Sequence, residues 1–335
     1  MKFLLTAINA KFIHSNPAIY SLRAGVGEKL QPYVELAEFT INESLESILE
    51  GIWKRQPKVI GFSCYIWNWK LIREILTELP KILPDTEIWL GGPEVTYDGP
   101  GLLREFPQVT GIMVGEGEVT FREVLEHYVR ETETAGQSEQ QPEPDRIEQQ
   151  AADRTGTVAG KSVAERFGQI SGLCLASGYT APRELTDLTT LPFLYEDMEP
   201  FTNRIIYYET SRGCPYRCSY CLSSIDKKVR LRDIDVVKRE LQFFLDQNVK
   251  QVKFIDRTFN CNHKHAMEIW QYIYEHDNGV TNFHFEISAD ILREEEISLL
   301  NRFRPGLAQL EIGVQSTNPE TIRAIHRVMD VDKLE

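Results

Sequence analysis

Three thiols fall within the run Thr210-Ser-Arg-Gly-Cys-Pro-Tyr-Arg-Cys-Ser-Tyr-Cys221, at Cys214, Cys218 and Cys221. Thiolates at C-x3-C-x2-C spacing, on a turn containing Gly213 and Pro215, can converge on a soft metal centre, and iron–sulfur clusters are held by such thiolates. Three ligands are one short of the four that saturate a [4Fe–4S] cluster. An iron left open can take a substrate, as a catalytic zinc keeps an open position. The competing readings are a zinc site and a partial disulfide set. A structural zinc site wants a fourth Cys or His close by, and Cys261 and His263 lie far along the chain.

The stretch resembles the radical S-adenosylmethionine (SAM) superfamily, whose signature is C-x3-C-x-aromatic-C. Tyr220 fills the aromatic position. The resemblance implies a [4Fe–4S] cluster on Cys214, Cys218 and Cys221, with SAM chelating the fourth iron through its amino and carboxylate groups beside Tyr220. Reductive cleavage of SAM to a 5′-deoxyadenosyl radical would follow, with an electron donor such as flavodoxin or ferredoxin.

The elements that must position this loop repeat a strand–helix pattern. A strand-like run at 204–210 leads into the cysteines, and a helix at 233–246 follows with Asp233 as its N-cap. Then come strand-like Gln251–Ile255, a helix at 263–277, Asn282–Ser288, a helix at 294–302, Ala308–Val314 and a helix at 318–327. These are four units of a radical SAM (β/α) barrel, and six are expected of a whole core, so residues 204–335 read as a partial barrel of a truncated sequence. The alternative is a shortened barrel with an exposed sheet edge. Barrel chemistry sits at the carboxyl ends of strands. There the resemblance implies SAM contacts at Asp256, Glu286, Ser288 and Gln315, although Arg257 replaces a second acid often seen in the family. For each of these four the competing reading is a capping or sheet-end residue.

Residues 1–130 alternate short apolar strands (Lys2–Ala7, Val34–Phe39, Val59–Cys64, Glu87–Leu90, Gly111–Val114) with amphipathic helices near 17–30, 43–55, 68–82, 99–106 and 118–130. That pattern predicts an α/β domain, a doubly wound, flavodoxin-like parallel sheet covered on both faces, with its ligand at the carboxyl ends of the strands. Those ends carry Cys64-Tyr65-Ile-Trp67, Gly91-Gly92-Pro93-Glu94 and Gly115-Glu116-Gly117-Glu118. Glycines let a backbone approach a flat ligand closely; any one of the three also reads as an ordinary βα turn.

Together they resemble the cobalamin-binding domain of B12-dependent radical SAM proteins. The resemblance implies cobalamin held by Cys64, Tyr65, Trp67, Gly91, Gly92, Pro93, Glu94, Gly115, Glu116 and Gly117. The usual Asp-x-His-x-x-Gly motif is absent: the first βα loop keeps His14 without the Asp or the Gly. His14 therefore reads as a polar loop histidine, and the implied cobalamin as base-off.

Residues 131–168 are polar, acidic and poor in apolar side chains. They read as a disordered insertion, with a short helix near 162–167. Residues 169–203 read as a bridge: a hairpin from Ile170–Ala176 and Arg183–Leu185, then the extended connector Leu191–Pro200.

The whole chain has 335 residues, 42% of them hydrophobic, and a net charge of −13. That charge argues against broad electrostatic binding to nucleic acid or anionic lipid. Six cysteines, three of them clustered, are not a secreted disulfide framework. The apolar N-terminus is short and broken by Asn9 and Lys11, so it reads as a buried strand, and a reduced cytoplasm as the home. The leading functional reading is a cobalamin-dependent radical SAM enzyme performing methyl transfer to an unactivated carbon on an unidentified substrate. A radical rearrangement or ring closure is the alternative, and a non-catalytic iron–sulfur or corrinoid-binding protein stands against both.

Overall fold

A computed structural model describes residues 1–138 and 161–334 of the chain. These form two compact units, Met1–Thr186 with Leu194–Glu196, and Asp187–Phe193 with Asp197–Glu335.

The first unit contains, in chain order, β1 (Phe3–Asn9), α1 (Pro17–Gly25), β2 (Val34–Thr40), α2 (Leu45–Trp53), β3 (Val59–Ser63), α3 (Trp69–Ile82), β4 (Glu87–Gly91), α4 (Gly99–Glu105), β5 (Val109–Met113), α5 (Gly117–Ser138), α6 (Val163–Phe167), β6 (Leu173–Leu175) and β7 (Gly178–Tyr179). Its sheet runs β2-β1-β3-β4-β5-β6-β7. The first five strands are parallel. Every residue of β1 is buried, as a central strand covered on both faces requires. Two cores sandwich the sheet. One gathers Ile48, Ile72, Ile75, Leu76 and Leu79 from α2 and α3 over Leu4, Ile60 and Leu90. The other gathers Ile19, Phe121, Val124 and Leu125 from α1 and α5 over Phe3, Leu5 and Trp89. The order β2-β1-β3 makes the gap between β1 and β3 the topological switch point, where such sheets open a crevice beyond their carboxyl ends.

The segment expected to be a disordered insertion is partly structured. Residues 131–138 continue α5, and α6 is closed by a capping box between Ser162 and Glu165. Arg166 of α6 pairs with Glu87 at 2.9 Å and with Glu131 at 2.9 Å, its side chain 1% exposed. It also lies over the rings of Tyr128 and Phe167. A buried arginine with two carboxylates and two rings is what composition alone does not foretell. The remainder of that expectation, 139–160, lies outside the described residues.

The expected bridging hairpin is also relocated. Its strands are β6 and β7, and β6 adds antiparallel to β5, pairing Ile112 with Cys174, so the hairpin extends the first sheet.

The second unit contains β8 (Ile206–Tyr208), β9 (Ser211–Arg212), β10 (Arg230–Leu231), α7 (Ile234–Asp246), β11 (Gln251–Phe254), α8 (His263–Glu275), β12 (Asn282–Ile287), α9 (Glu294–Leu300), β13 (Ala308–Ile312) and α10 (Pro319–Ala324). Strands β13-β12-β11-β8 form a parallel four-stranded sheet, open among the described residues. One face is a dense aromatic core of Tyr208, Phe254, Phe283 and Phe285 against Phe244 of α7 and Trp270 of α8. The alternate residues share the other face: Tyr207, Lys253, His284 and Gln309 in one row, Glu286 and Glu311 in the next. A parallel sheet normally buries apolar side chains on both faces; this face instead carries ionisable ones.

Candidate functional site

The cysteine loop is an excursion closed by the β9–β10 ribbon, in which Arg212 pairs with Arg230 and Ser211 with Leu231. Its base is anchored by a buried cluster: the Tyr208 hydroxyl donates to Glu240 at 2.6 Å, and Arg232 meets the same carboxylate at 2.8 Å. Gly213 has φ +97°, and a Cβ there would stand 2.5 Å from the Lys228 carbonyl oxygen, so only glycine lets the two arms of the loop touch. The Cys214 N–H donates to the Asp226 carbonyl at 2.9 Å, and the Ser219 N–H to that of Ile325 at 2.9 Å.

All six cysteines are free thiols. Cys214 and Cys218 are buried and Cys221 is half-buried. Among the described residues no three His, Cys, Asp or Glu side chains gather as ligands of a single ion. A [4Fe–4S] cluster asks for less convergence, because each thiolate binds a different iron, and three thiols on one pinned loop suit that donor set. Cys261 lies in the same neighbourhood: burial and nearby Cys214 and Asp256 push its thiol up to about 11. Cys174 is in the first core.

The four residues expected to touch SAM divide. Asp256 is 1% exposed, and its carboxylate already accepts from the Thr210 N–H at 3.1 Å, the Thr210 hydroxyl at 2.7 Å and the Ser211 hydroxyl at 2.5 Å. Burial raises its pKa against those three hydrogen bonds. Its visible task is to tie the end of β11 to the strand that launches the cysteine loop, the sheet-end role that stood beside the expected SAM contact. Ser288 is also enclosed: its hydroxyl donates to Asp290 at 2.7 Å, and its backbone exchanges hydrogen bonds with Asn260 at 3.0 and 2.8 Å. Glu286 is on the polar face, 3.8 Å from Lys253, its pKa raised by burial while Arg257 lowers it. Gln315, three residues past β13, lies in the left-handed region at φ +60°, its side chain folded over Gly313. A non-glycine residue held there is a strained position of the kind found at ligand sites.

Several residues at this site gave no signal in the sequence. Arg327 donates from Nη1 to the Tyr220 hydroxyl at 3.3 Å, stands 4.0 Å from the Cys218 sulfur, and donates from Nη2 to the Gly313 carbonyl. It draws Tyr220, Cys218 and the end of β13 together across more than a hundred residues of chain, a separation no spacing rule covers. Thr258 lies 3.5 Å from the Cys214 sulfur. Burial raises the Tyr216 phenol above its ordinary value, against a hydrogen bond with Ser288 that lowers it.

At the carboxyl edge of the first sheet, struts lock the loops after β1 and β3. Asn68 is fully buried; its Nδ2 donates to the Ile8 and Ser63 carbonyls, each at 3.0 Å, and its Oδ1 accepts from the Tyr65 N–H at 2.8 Å. Asn16 Nδ2 donates to Ser63 Oγ at 3.1 Å, and Glu38 accepts from Asn9, the Asn16 N–H and Tyr20. Around these struts apolar side chains stand in water: Phe12 is 64% exposed, Ile66 82%, Trp67 47% and Tyr97 58%. Tyr65 and Trp67 stack at 4.4 Å. Apolar exposure gathered at a switch point fits a broad flat ligand. Gly115 is open, with φ +80° and no atom within 4 Å of a built Cβ. Glu94 is exposed, Pro93 and Gly117 half-exposed, while Glu116 accepts from the Thr186 N–H at 2.7 Å. His14 sits in the β1–α1 loop with its N–H on the Lys11 carbonyl.

Cys64 and Gly92, both expected at the ligand, have structural tasks of their own. Cys64 is fully buried, its thiol directed at the Phe62 carbonyl 3.6 Å away and its pKa pushed far up by burial, so it is a core residue. Gly92 has φ +110°, and a Cβ there would stand 2.5 Å from the Cys64 carbonyl oxygen. Its missing side chain admits the neighbouring backbone, whose Cys64 N–H bonds the Gly91 carbonyl at 2.7 Å.

Both halves match family models: the B12 binding domain over residues 4–125 and the radical SAM superfamily over 208–334. The chain belongs to the radical SAM proteins that carry a B12-binding domain. Its relatives include an uncharacterized methyltransferase, PH0819, of Pyrococcus horikoshii, 26% identical over 68% of this chain and 45% of that protein. Another is the cobalamin-dependent radical SAM methyltransferase TokK of Streptomyces tokunonensis, 28% identical over 61% of this chain and 28% of that one. The fold is shared with the cobalamin-dependent SAM radical enzyme OxsB, solved with aqua-cobalamin and SAM bound, at a TM-score of 0.71 and 16% identity, covering 98% of this chain and 46% of that one. The chain thus spans less than half the length of these relatives. The radical SAM domain implies a [4Fe–4S] cluster and SAM, and the B12-binding domain cobalamin. No helix among the described residues is long and apolar enough to cross a membrane.

Proposed function

We propose that this chain supplies the cofactor-binding part of a cobalamin-dependent radical SAM methyltransferase that methylates an unactivated carbon. The observation that carries the reading is the pairing, in one chain, of a glycine-pinned three-thiol loop with a sheet whose switch point exposes aromatic surface. When bound, the cluster and SAM supply one-electron cleavage of the sulfonium, and cobalamin carries the methyl group. The chain's own residues bind and orient. Cys214, Cys218 and Cys221 would hold the cluster. Arg327 and Tyr220 border the thiols on the β13 side, and a guanidinium there suits the carboxylate of SAM. Glu286 and Gln315 offer polar groups at the strand ends. Tyr65, Trp67 and Phe12 provide an apolar bed for the corrin, and Gly115 lets the ring approach backbone. Glu94, Pro93, Glu116 and Gly117 complete the rim.

The test is anaerobic reconstitution with iron, sulfide and hydroxocobalamin, then SAM and dithionite. Release of 5′-deoxyadenosine together with cobalamin binding below tens of micromolar, about the range of a specific cofactor site, is the expected result. Cobalamin binding without SAM cleavage would return the chain to a corrinoid-binding protein.

A further inference from the structure

Three arginines around the cysteine loop are neutralised by carboxylates: Arg212 by Glu209 at 2.8 Å, Arg230 by Asp226 at 3.1 Å and Arg232 by Glu240 at 2.8 Å. Arg327 differs. Its guanidinium donates to the Tyr220 hydroxyl at 3.3 Å and to the Gly313 carbonyl, and its Nη1 stands 4.0 Å from the Cys218 sulfur. Its Nε is buried with no hydrogen-bond partner among the described residues. No carboxylate among those residues meets it, so a whole positive charge faces a thiol that is itself 5% exposed.

The fold fixes the place of that charge. His326, at φ +53°, turns the chain as α10 ends. A non-glycine residue stays in the left-handed region only where its surroundings hold it there. Before Arg327, the Ile325 carbonyl accepts from the Ser219 N–H at 2.9 Å, which ties the segment to the residue next to Cys218. After it, the Asp330 N–H donates to buried Asp290 at 3.1 Å.

We propose that Arg327 is a positioning residue that raises the reduction potential of the cluster through the Cys218 sulfur; the inference rests on the radical SAM reading above. Charge and hydrogen bonds at the sulfurs are among the levers that set such potentials. A fixed cation favours the state that holds one more electron. A unit charge about 4 Å from a partly buried sulfur is enough to move a one-electron equilibrium about tenfold or more. In the step itself one electron passes from a one-electron reductant to the cluster, and no bond is made or broken. The effect operates with SAM absent, which separates it from any contact of Arg327 with the SAM carboxylate.

The experiment uses the reconstituted full chain and Arg327→Gln, which keeps N–H donors and removes the charge. The midpoint potential is read by electron paramagnetic resonance during titration with dithionite, without SAM. Arg327→Gln should take up its electron with an equilibrium constant about tenfold lower, a fall of about 59 mV for one electron. Arg327→Lys keeps the charge and should recover most of that loss. Val328→Glu sets an acid next to Arg327 in the chain, at a position 67% exposed. It should also lower the potential, and it decides the question if Arg327→Gln holds no iron. A potential as high as that of wild type in Arg327→Gln, or in Val328→Glu where the first variant holds no iron, would overturn the tuning role and leave the radical SAM reading intact. A loss that Arg327→Lys fails to recover would overturn it too, by assigning the effect to packing. Absence of 5′-deoxyadenosine from dithionite-reduced wild type given SAM would overturn the radical SAM reading, and the tuning role with it.

Discussion

The Asp256 carboxylate, enclosed by three donors, explains how a loop of glycine, proline and cysteine is held. Replacing it by alanine leaves the Thr210 amide, the Thr210 hydroxyl and the Ser211 hydroxyl without their acceptor, with Thr210 fully buried and Ser211 6% exposed. Each unsatisfied buried group costs about 1–3 kcal/mol. Asp256→Ala should therefore lower the stability of the radical SAM domain and reduce its iron content, although all three thiols remain. Asp256 is a positioning residue, so iron content and chemical denaturation are the readouts; full iron loading at wild-type stability would contradict the role. The sequence made this position visible as a polar strand end and pointed to SAM. It could not show that the partners sit 45 and 46 residues upstream, because that pairing exists only once β8 and β11 align. Arg327 was invisible for the same reason. The three cysteines were legible because a metal cluster demands local spacing.

At the scale of elements, close backbone approach and buried charge decide more than propensity does. Gly92→Ala would put a methyl group 2.5 Å from the Cys64 carbonyl at a backbone angle of φ +110°. Strain of that kind costs about 1–3 kcal/mol before any clash. Thermal unfolding of the B12-binding domain should show the loss; an unchanged midpoint would mean that β3 and β4 part easily. Arg166→Met should also destabilise, by about 1–3 kcal/mol, since it leaves the half-buried carboxylates of Glu87 and Glu131 without their partner. Urea unfolding measures it. In α8, His265 is buried, and burial lowers its pKa below 6.5 against the raising effect of Glu268. The unfolded chain takes up a proton as pH falls past about 6.5, while the folded domain does so only at lower pH. The stability tied to neutral His265 is thus full above that pH and drains as pH falls. His265→Leu should make unfolding free energy less sensitive to acid between about pH 6.5 and 5; an identical slope would refute this. The parallel strands were legible in the sequence as short apolar runs separated by amphipathic helices. The extension of α5 and the docking of α6 were not, because their acidic surface hides one buried arginine.

The whole molecule couples two cofactor-binding halves of one fold class, each with its chemistry at strand ends. The missing Asp-x-His-x-x-Gly gives an expectation for the first half: cobalamin bound there should show a base-off spectrum that His14→Ala leaves unchanged. A spectral change in that variant would make His14 the lower ligand. The central claim concerns the second half, and one measurement reaches it directly. Protein reconstituted anaerobically should carry about four irons and four sulfides, and after reduction its electron paramagnetic resonance signal should change on adding SAM, reporting an open iron. Cys214→Ala, Cys218→Ala and Cys221→Ala should each abolish the signal, whereas Cys174→Ala and Cys261→Ala should keep it. One zinc per chain in place of iron, or a full iron load in Cys218→Ala, would contradict the account.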